Sequence, residues 1–163
     1  MARAKAKKST IKARRRPAPK PVTKARGTAR PKHRTAKATN ASPAMRALAR
    51  RIIDVTLGGD DEAMLALYAP DIESSEAGQP PEAGLDALRA KFAGWRSMTK
   101  DASFEPRRVC VDGNVIVIEW LGHVTLAASG RRVELHEVAI HQIENGKIVR
   151  EAFYYNPAAL GLA

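Results

Sequence analysis

The chemistry open to this chain is carried by carboxylates, four histidines and three tyrosines, because the other common reactive constellations are missing. A single cysteine, Cys110, excludes an intramolecular disulfide and a Cys-rich zinc site; it is expected as a small buried side chain in a reducing compartment. His136 and His141 stand five apart on a predicted strand and point to opposite faces, so no metal-ligand cluster emerges, and neither metal nor cofactor is expected. There is no phosphate-cradling Gly-rich loop, no nucleophile elbow and no dinucleotide fingerprint, and Gly58-Gly59 reads as a helix stop. Proton transfer remains. Glu137 and His141 are four apart on one predicted strand and share a face, while Glu151, Phe153 and Tyr155 share a face of the next. Carboxylates gathered in an apolar site raise one another's pKa, which suits general acid–base chemistry.

The elements that must position these groups follow from period and punctuation. Ser42-Pro43 reads as N-cap and first residue of a helix with Met45, Leu48, Ile52 and Val55 on its apolar face, ended by Gly58-Gly59. Asp60, Asp61 and Glu62 complement the dipole at the start of a second helix, whose buried side is Met64, Leu65, Leu67 and Tyr68 and which Pro70 closes. An extended piece, 71–76, and the loop Ala77-Gly-Gln-Pro-Pro lead to a third helix carrying Leu85, Leu88, Phe92 and Trp95. From Phe104 the period becomes two, predicting strands near 104–111, 115–126, 131–143 and 147–155. The chain is therefore α+β: three helices followed by an antiparallel meander that wraps around them. Strand 115–126 is apolar on both faces over half its length; one covering layer would leave Val115, Val117 and Leu121 wet, so a homodimer is expected to bury the second face.

Four strings carry a resemblance: Ala66-Leu67-Tyr68-Ala69-Pro70-Asp71, Gly84 to Phe92, Asp112-Gly-Asn-Val-Ile-Val-Ile-Glu-Trp, and Glu144-Asn-Gly-Lys-Ile-Val-Arg-Glu-Ala-Phe-Tyr-Tyr. They resemble the SnoaL-like polyketide cyclase family of the nuclear transport factor 2-like, or ketosteroid-isomerase-like, superfamily, over about residues 42–158. The resemblance implies three helices in a curved sheet of four to five antiparallel strands, enclosing a conical pocket. It also implies that an Asp base of the isomerase plan falls at Glu76, its oxyanion-binding Tyr at Ile52 and its protonated Asp near Ala139. Two of those three groups are absent here, so steroid isomerisation and the standard cyclase mechanism are not expected.

If the face of Trp120 lines the cone, as the resemblance implies, Glu137, Ala139, His141 and Ile143 line it too. A three-residue turn at Glu144-Asn145-Gly146 adds Glu151, Phe153 and Tyr155; a two-residue Asn-Gly turn presents Arg150, Ala152 and Tyr154 instead. On the first alternative, walls of Trp95, Trp120 and Phe153 surround Glu76, Glu137, His141, Glu151 and Tyr155. The ligand expected is a small, apolar, oxygenated molecule. Either Glu76 or His141 acts as base, Glu137 or Glu151 orients it and Tyr155 donates a hydrogen bond, or the site binds without turnover.

All seventeen carboxylates lie at or after Asp54, whereas eighteen of the twenty-eight Lys and Arg residues lie at or before Arg51. Beyond that point ten bases face seventeen acids, so the formal +11 describes the N-terminal segment and not the body. Residues 1–41 are expected to form a disordered tail ahead of one domain, 42–163, because Pro17, Pro19, Pro21 and Pro31 interrupt any helix and little can be buried. The composition is similar to that of histone-like tails. Lys7, Lys8, Arg14, Arg15, Arg16, Lys20 and Lys24 are predicted to contact nucleic-acid phosphate by counterion release, with no aromatic before Tyr68 to stack on bases. Without an apolar run of roughly 20 residues or a signal-peptide core, a cytoplasmic, nucleoid-associated protein away from membranes is expected.

Overall fold

The computed structural model describes residues 41–162. The predicted tail, except for residue 41, and all seven of its phosphate-contacting residues lie outside them. Ser42 caps the first helix, α1 (Pro43–Gly58), its hydroxyl accepting from the Met45 amide at 3.1 Å, and Gly59 at φ 65 ends it. The face buried by α1 is Ala49, Ile52 and Val55; each Ile or Val so buried contributes roughly 1.5–3 kcal/mol. Asp60 caps α2 (Asp61–Leu65) by accepting from Ala63 at 3.0 Å.

This second helix is shorter than expected. Tyr68 is not on its buried side but opens strand β1 (Tyr68–Ser75), which pairs parallel with the last strand. Pro70 sits inside β1 where the ladder is irregular between Tyr68 and Glu73, so its missing N–H leaves no rung broken. A two-residue strand, β2 (Glu82–Ala83), precedes α3 (Leu85–Met98).

Four long strands complete the sheet: β3 (Thr99–Asp112), β4 (Val115–Leu126), β5 (Arg132–Glu144) and β6 (Lys147–Tyr154). The order is β2-β1-β6-β5-β4-β3, so the sheet has six strands, more than the four to five expected, and the β1–β6 pair is parallel. The antiparallel meander of β3 to β6 is as the alternation indicated. Cys110 is exposed on the edge strand β3, not buried. Leu121 is buried within this one chain, and Val115 and Val117 are half-buried.

The β5–β6 connection is the two-residue Asn145-Gly146 turn, with φ 49 and 75; both angles suit a type I′ hairpin. That corrects the three-residue turn, yet the face is the one it implied. Ile143 pairs with Ile148 while Gln142 pairs with Arg150, so Val149 is an extra residue on β6 that reverses parity a second time. Glu151 therefore lies opposite His141 on the inner face.

Candidate functional site

The inner face of the sheet holds Ile116, Ile118 and Trp120 from β4, beside Glu137, Ala139 and His141 from β5, which pair with them residue for residue in the order Trp120, Ile118, Ile116. Phe153 and Glu151 from β6 lie opposite Ala139 and His141. Glu76 follows the end of β1, and Lys91 reaches in from α3. Most titratable groups expected at the site thus converge, around a residue that sequence reasoning did not single out.

Lys91 is that centre. Its ammonium lies 2.7 Å from Glu76 Oε1, 2.9 Å from Ser74 Oγ and 3.1 Å from Glu151 Oε1, with the Phe153 ring centroid at 4.0 Å. Three partners match the three N–H groups of an ammonium, and the ring face adds a cation–π contact. The Lys91 side chain is 18% exposed and that of Glu76 29%, so this pair lies at the mouth of the site.

Glu151 lies below them with its side chain at 0% exposure. Its Oε2 accepts from the Tyr68 hydroxyl at 2.6 Å, and its Oε1 accepts from Ser74 at 2.7 Å. Burial favours its neutral form, but His141, Lys91 and Tyr68 outweigh burial and hold the carboxyl at about 2. His141 Nδ1 is 3.6 Å from Glu151 Oε2, too long for a hydrogen bond, and is left without a hydrogen-bond partner. The shorter contacts of Lys91, Ser74 and Tyr68 therefore fix the position of the carboxylate. Burial and then Glu151 raise the Tyr68 phenol, which stays a donor.

Glu137 behaves differently. Burial and the Glu76 charge push its carboxyl up to about 7, with Lys91 opposing, and no described residue donates a hydrogen bond to it. Tyr155, raised by burial and then by Glu76, completes the group as a protonated phenol. Trp120 stacks edge-on to Phe104 at 6.2 Å, and Phe104 contacts Trp95 at 6.0 Å, so these aromatics form an apolar wall beside Glu137. His141, 2% exposed, lies under Glu151 and edge-on to Phe153.

A hollow of about 470 Å³ lies on the other face of the sheet, lined by Asp101, Ser103, His123, Thr125, Arg132 and Glu134 among others. Its exposed His123–Glu134 pair is 4.0 Å apart. The inner face is the stronger candidate, because buried ionisable groups that perturb one another gather there and not in the hollow. No group of three or more His, Cys, Asp or Glu among the described residues could hold a metal ion. Nor is any helix there long and apolar enough to cross a membrane.

Ser74, Lys91 and Tyr68 are the residues sequence reasoning missed. Ser74 precedes Glu76 by two on an extended segment, and Lys91 lies three after Leu88 and four before Trp95 on the buried side of α3. Those spacings were the available signals. Tyr68 was masked by a helical pattern that the chain does not follow.

Residues 49–151 match the family model of the SnoaL-like domain. A candidate SnoaL-like polyketide cyclase from Mesorhizobium loti is 31% identical, with 68% of this chain and 98% of that one covered and a TM-score of 0.58. A second such candidate, from Jannaschia sp., is 14% identical over 77% and 94% of the two chains with a TM-score of 0.67. A nuclear transport factor 2-like protein of unknown function from Burkholderia pseudomallei is 22% identical over 72% and 93%, at 0.65. The latter two likenesses concern the fold alone. No curated protein matches the chain.

Proposed function

The chain belongs to the SnoaL-like domain family of the nuclear transport factor 2-like superfamily, and from that premise we propose that it binds a small, apolar, oxygenated molecule on the inner face of its sheet and transfers a proton on it. The observation that carries this is the place of Glu137 on β5, directly opposite Trp120 in the aromatic wall, where burial and the Glu76 charge raise its carboxyl to about 7. A group poised there is both base and acid near neutral pH. Glu137 takes a proton from carbon next to a carbonyl and returns it to the product. Tyr155 donates to the oxygen where charge develops, and the field of Lys91 stabilises that charge. Glu76 keeps Lys91 at the mouth, Glu151 and Ser74 hold it from below, and Tyr68 donates to Glu151. His141 is a positioning residue under Glu151. Trp95, Trp120 and Phe153 are the ligand walls.

Ile52 and Ala139, each 1% exposed, are packed in the core and supply no donor, so the chemistry proposed is not that of the steroid isomerase plan. A set of apolar ketones tests the reading by NMR in heavy water. Binding with exchange of the hydrogens next to the carbonyl, abolished by Glu137→Gln, is the expected result. Binding without exchange in the wild type would reduce the protein to a binder.

A second reading concerns assembly, and two observations favour it. The outer face carries half-buried Val117, Val138 and Ile140 beside Tyr154, which is 58% exposed, and a homodimer would cover them. The eighteen bases up to Arg51 would then be doubled at a nucleic acid. Light scattering that gives a monomer at micromolar concentration refutes the dimer. Phosphate binding requires a log–log salt slope of roughly −0.9 per phosphate in the full chain, lost when the chain starts at Ser42.

A further inference from the structure

We propose that the free edge of β3 is an interface for a second copy of this chain, with Arg108 to Asp112 pairing antiparallel to the same residues of that copy about a two-fold axis at Cys110. The seam is the strand edge, so it does not depend on a homodimer through the outer face. β3 stands last in the sheet, and its far side has no strand partner among the described residues. The first half of that edge is protected, because Pro106 interrupts its donors and the ladder slips between Pro106 and Arg108. Beyond the slip the protection ends. Arg108 to Asp112 pair without interruption with Glu119 to Val115 on β4, and such a regular stretch leaves every second N–H and C=O facing outward. Residues 107–110 are exposed in succession, among them Val109 at 43%.

Charge complementarity selects both the partner and the register. A two-fold axis normal to the sheet keeps every side chain on its own face, so the centre falls on a residue and not between two. Centred on Arg108 or on Asp112, the pairing sets like charges against each other; centred on Val109 or on Val111, it sets Arg108 or Asp112 against Cys110. Centred on Cys110, it sets Arg108 opposite Asp112 and Val109 opposite Val111 on both sides of the axis. Opposite charges and β-branched residues across a ladder stabilise it, and like charges destabilise it. Hydrogen-bonded and non-hydrogen-bonded pairs alternate along one register, so this centre serves whichever of Cys110 and its neighbours directs its backbone groups outward. Arg108, 81% exposed, is held only loosely by Glu119 at 3.7 Å and is available to the second copy. Val109 gains cover on the inner face, where it lies beside Ile118, and two six-stranded sheets join into one.

Exchanging the charges tests the register. Sedimentation equilibrium of the full chain with a thiol reductant is expected to show a monomer–dimer equilibrium within about 1–100 µM, as suits a small seam. Arg108→Asp or Asp112→Arg alone, each checked for folding by circular dichroism, should raise the dimer Kd at least ~10-fold, and the two together should bring it back to within about 3-fold of the wild type. Diamide in place of the reductant reports the geometry, because facing Cys110 residues would have Cα atoms roughly 4.5–5.5 Å apart, within disulfide reach. It takes one hydrogen from each thiol, becomes the hydrazine and leaves a disulfide-linked dimer; the wild type and the double variant should link faster than either single variant. Tyr154→Asp, on the outer face, should change neither readout. The proposal is overturned if the chain stays monomeric at ~100 µM, if folded Arg108→Asp dimerises as the wild type does, or if the folded double variant fails to recover. Loss of the dimer in Tyr154→Asp would overturn it too, by assigning the contact to the outer face.

Discussion

Lys91 Nζ lies 3.1 Å from Oε1 of Glu151, a carboxylate with no solvent exposure, so the most deeply buried charge of the domain is neutralised by a side chain that reaches the surface. Removing the ammonium leaves two carboxylates without their counter-charge. Lys91→Met should destabilise the domain by roughly 3 kcal/mol in urea unfolding. Arg150→Met, which breaks an exposed 2.9 Å pair with Glu73, should cost less than about 1 kcal/mol.

Stability should fall on both sides of a mildly acidic optimum, for opposite reasons. Glu151 is held at about 2, below the ordinary 4.5, so its contribution is complete above 4.5 and is lost as pH falls toward 2. Glu137 is raised from 4.5 to about 7, so the folded state binds its proton more tightly, and stability declines as pH rises from 4.5 through 7. Glu137→Gln should therefore be more stable than the wild type at about pH 8, by roughly 2–3 kcal/mol, and the difference should shrink toward zero near pH 4.5. Denaturant unfolding at the two pH values measures the Glu137 effect, and a third series between about pH 4.5 and pH 2 measures that of Glu151.

Gly122 is the closest approach in the aromatic wall. A Cβ placed there would come within 2.8 Å of the Phe104 ring and 3.4 Å of Leu135 Cβ. Gly122→Ala should displace Phe104 from Trp120 and cost about 1–3 kcal/mol, with a shift in tryptophan fluorescence. An unchanged spectrum at unchanged stability would show that the wall has room.

Much of the fold could be read locally. Ser42-Pro43 and Gly59 bound α1 because a cap and a left-handed stop are written within a few residues, and burial along strand 115–126 alternates except at Leu121. Tyr68 was not legible, since Met64, Leu65 and Leu67 continue a helical spacing while its hydroxyl's partner, Glu151, is 83 positions away. Lys91 was hidden likewise, being one cation on a helix whose partners lie on two strands. Glu151 was placed on the correct face through an incorrect turn, because the extra residue lies at Val149 and not in the loop.

That bulge gives a further prediction. Deleting Val149 shifts β6 by one residue beyond it and turns Glu151 outward, away from Lys91, Tyr68 and Ser74. Cooperative thermal unfolding should be lost or its midpoint should fall far more than for Val149→Ala, which keeps the residue count. Equal effects of the two changes would mean that the bulge does not set the parity of the site.

The carboxyl carbon of Glu137, followed by NMR from about pH 4 to pH 9, reports most directly on whether this site is poised for proton transfer. A midpoint near 7, moving downward in Glu76→Gln as the neighbouring charge is removed, is the expected result. A midpoint near 4.5 that ignores Glu76 would remove Glu137 as the acid–base group and with it the proposed chemistry.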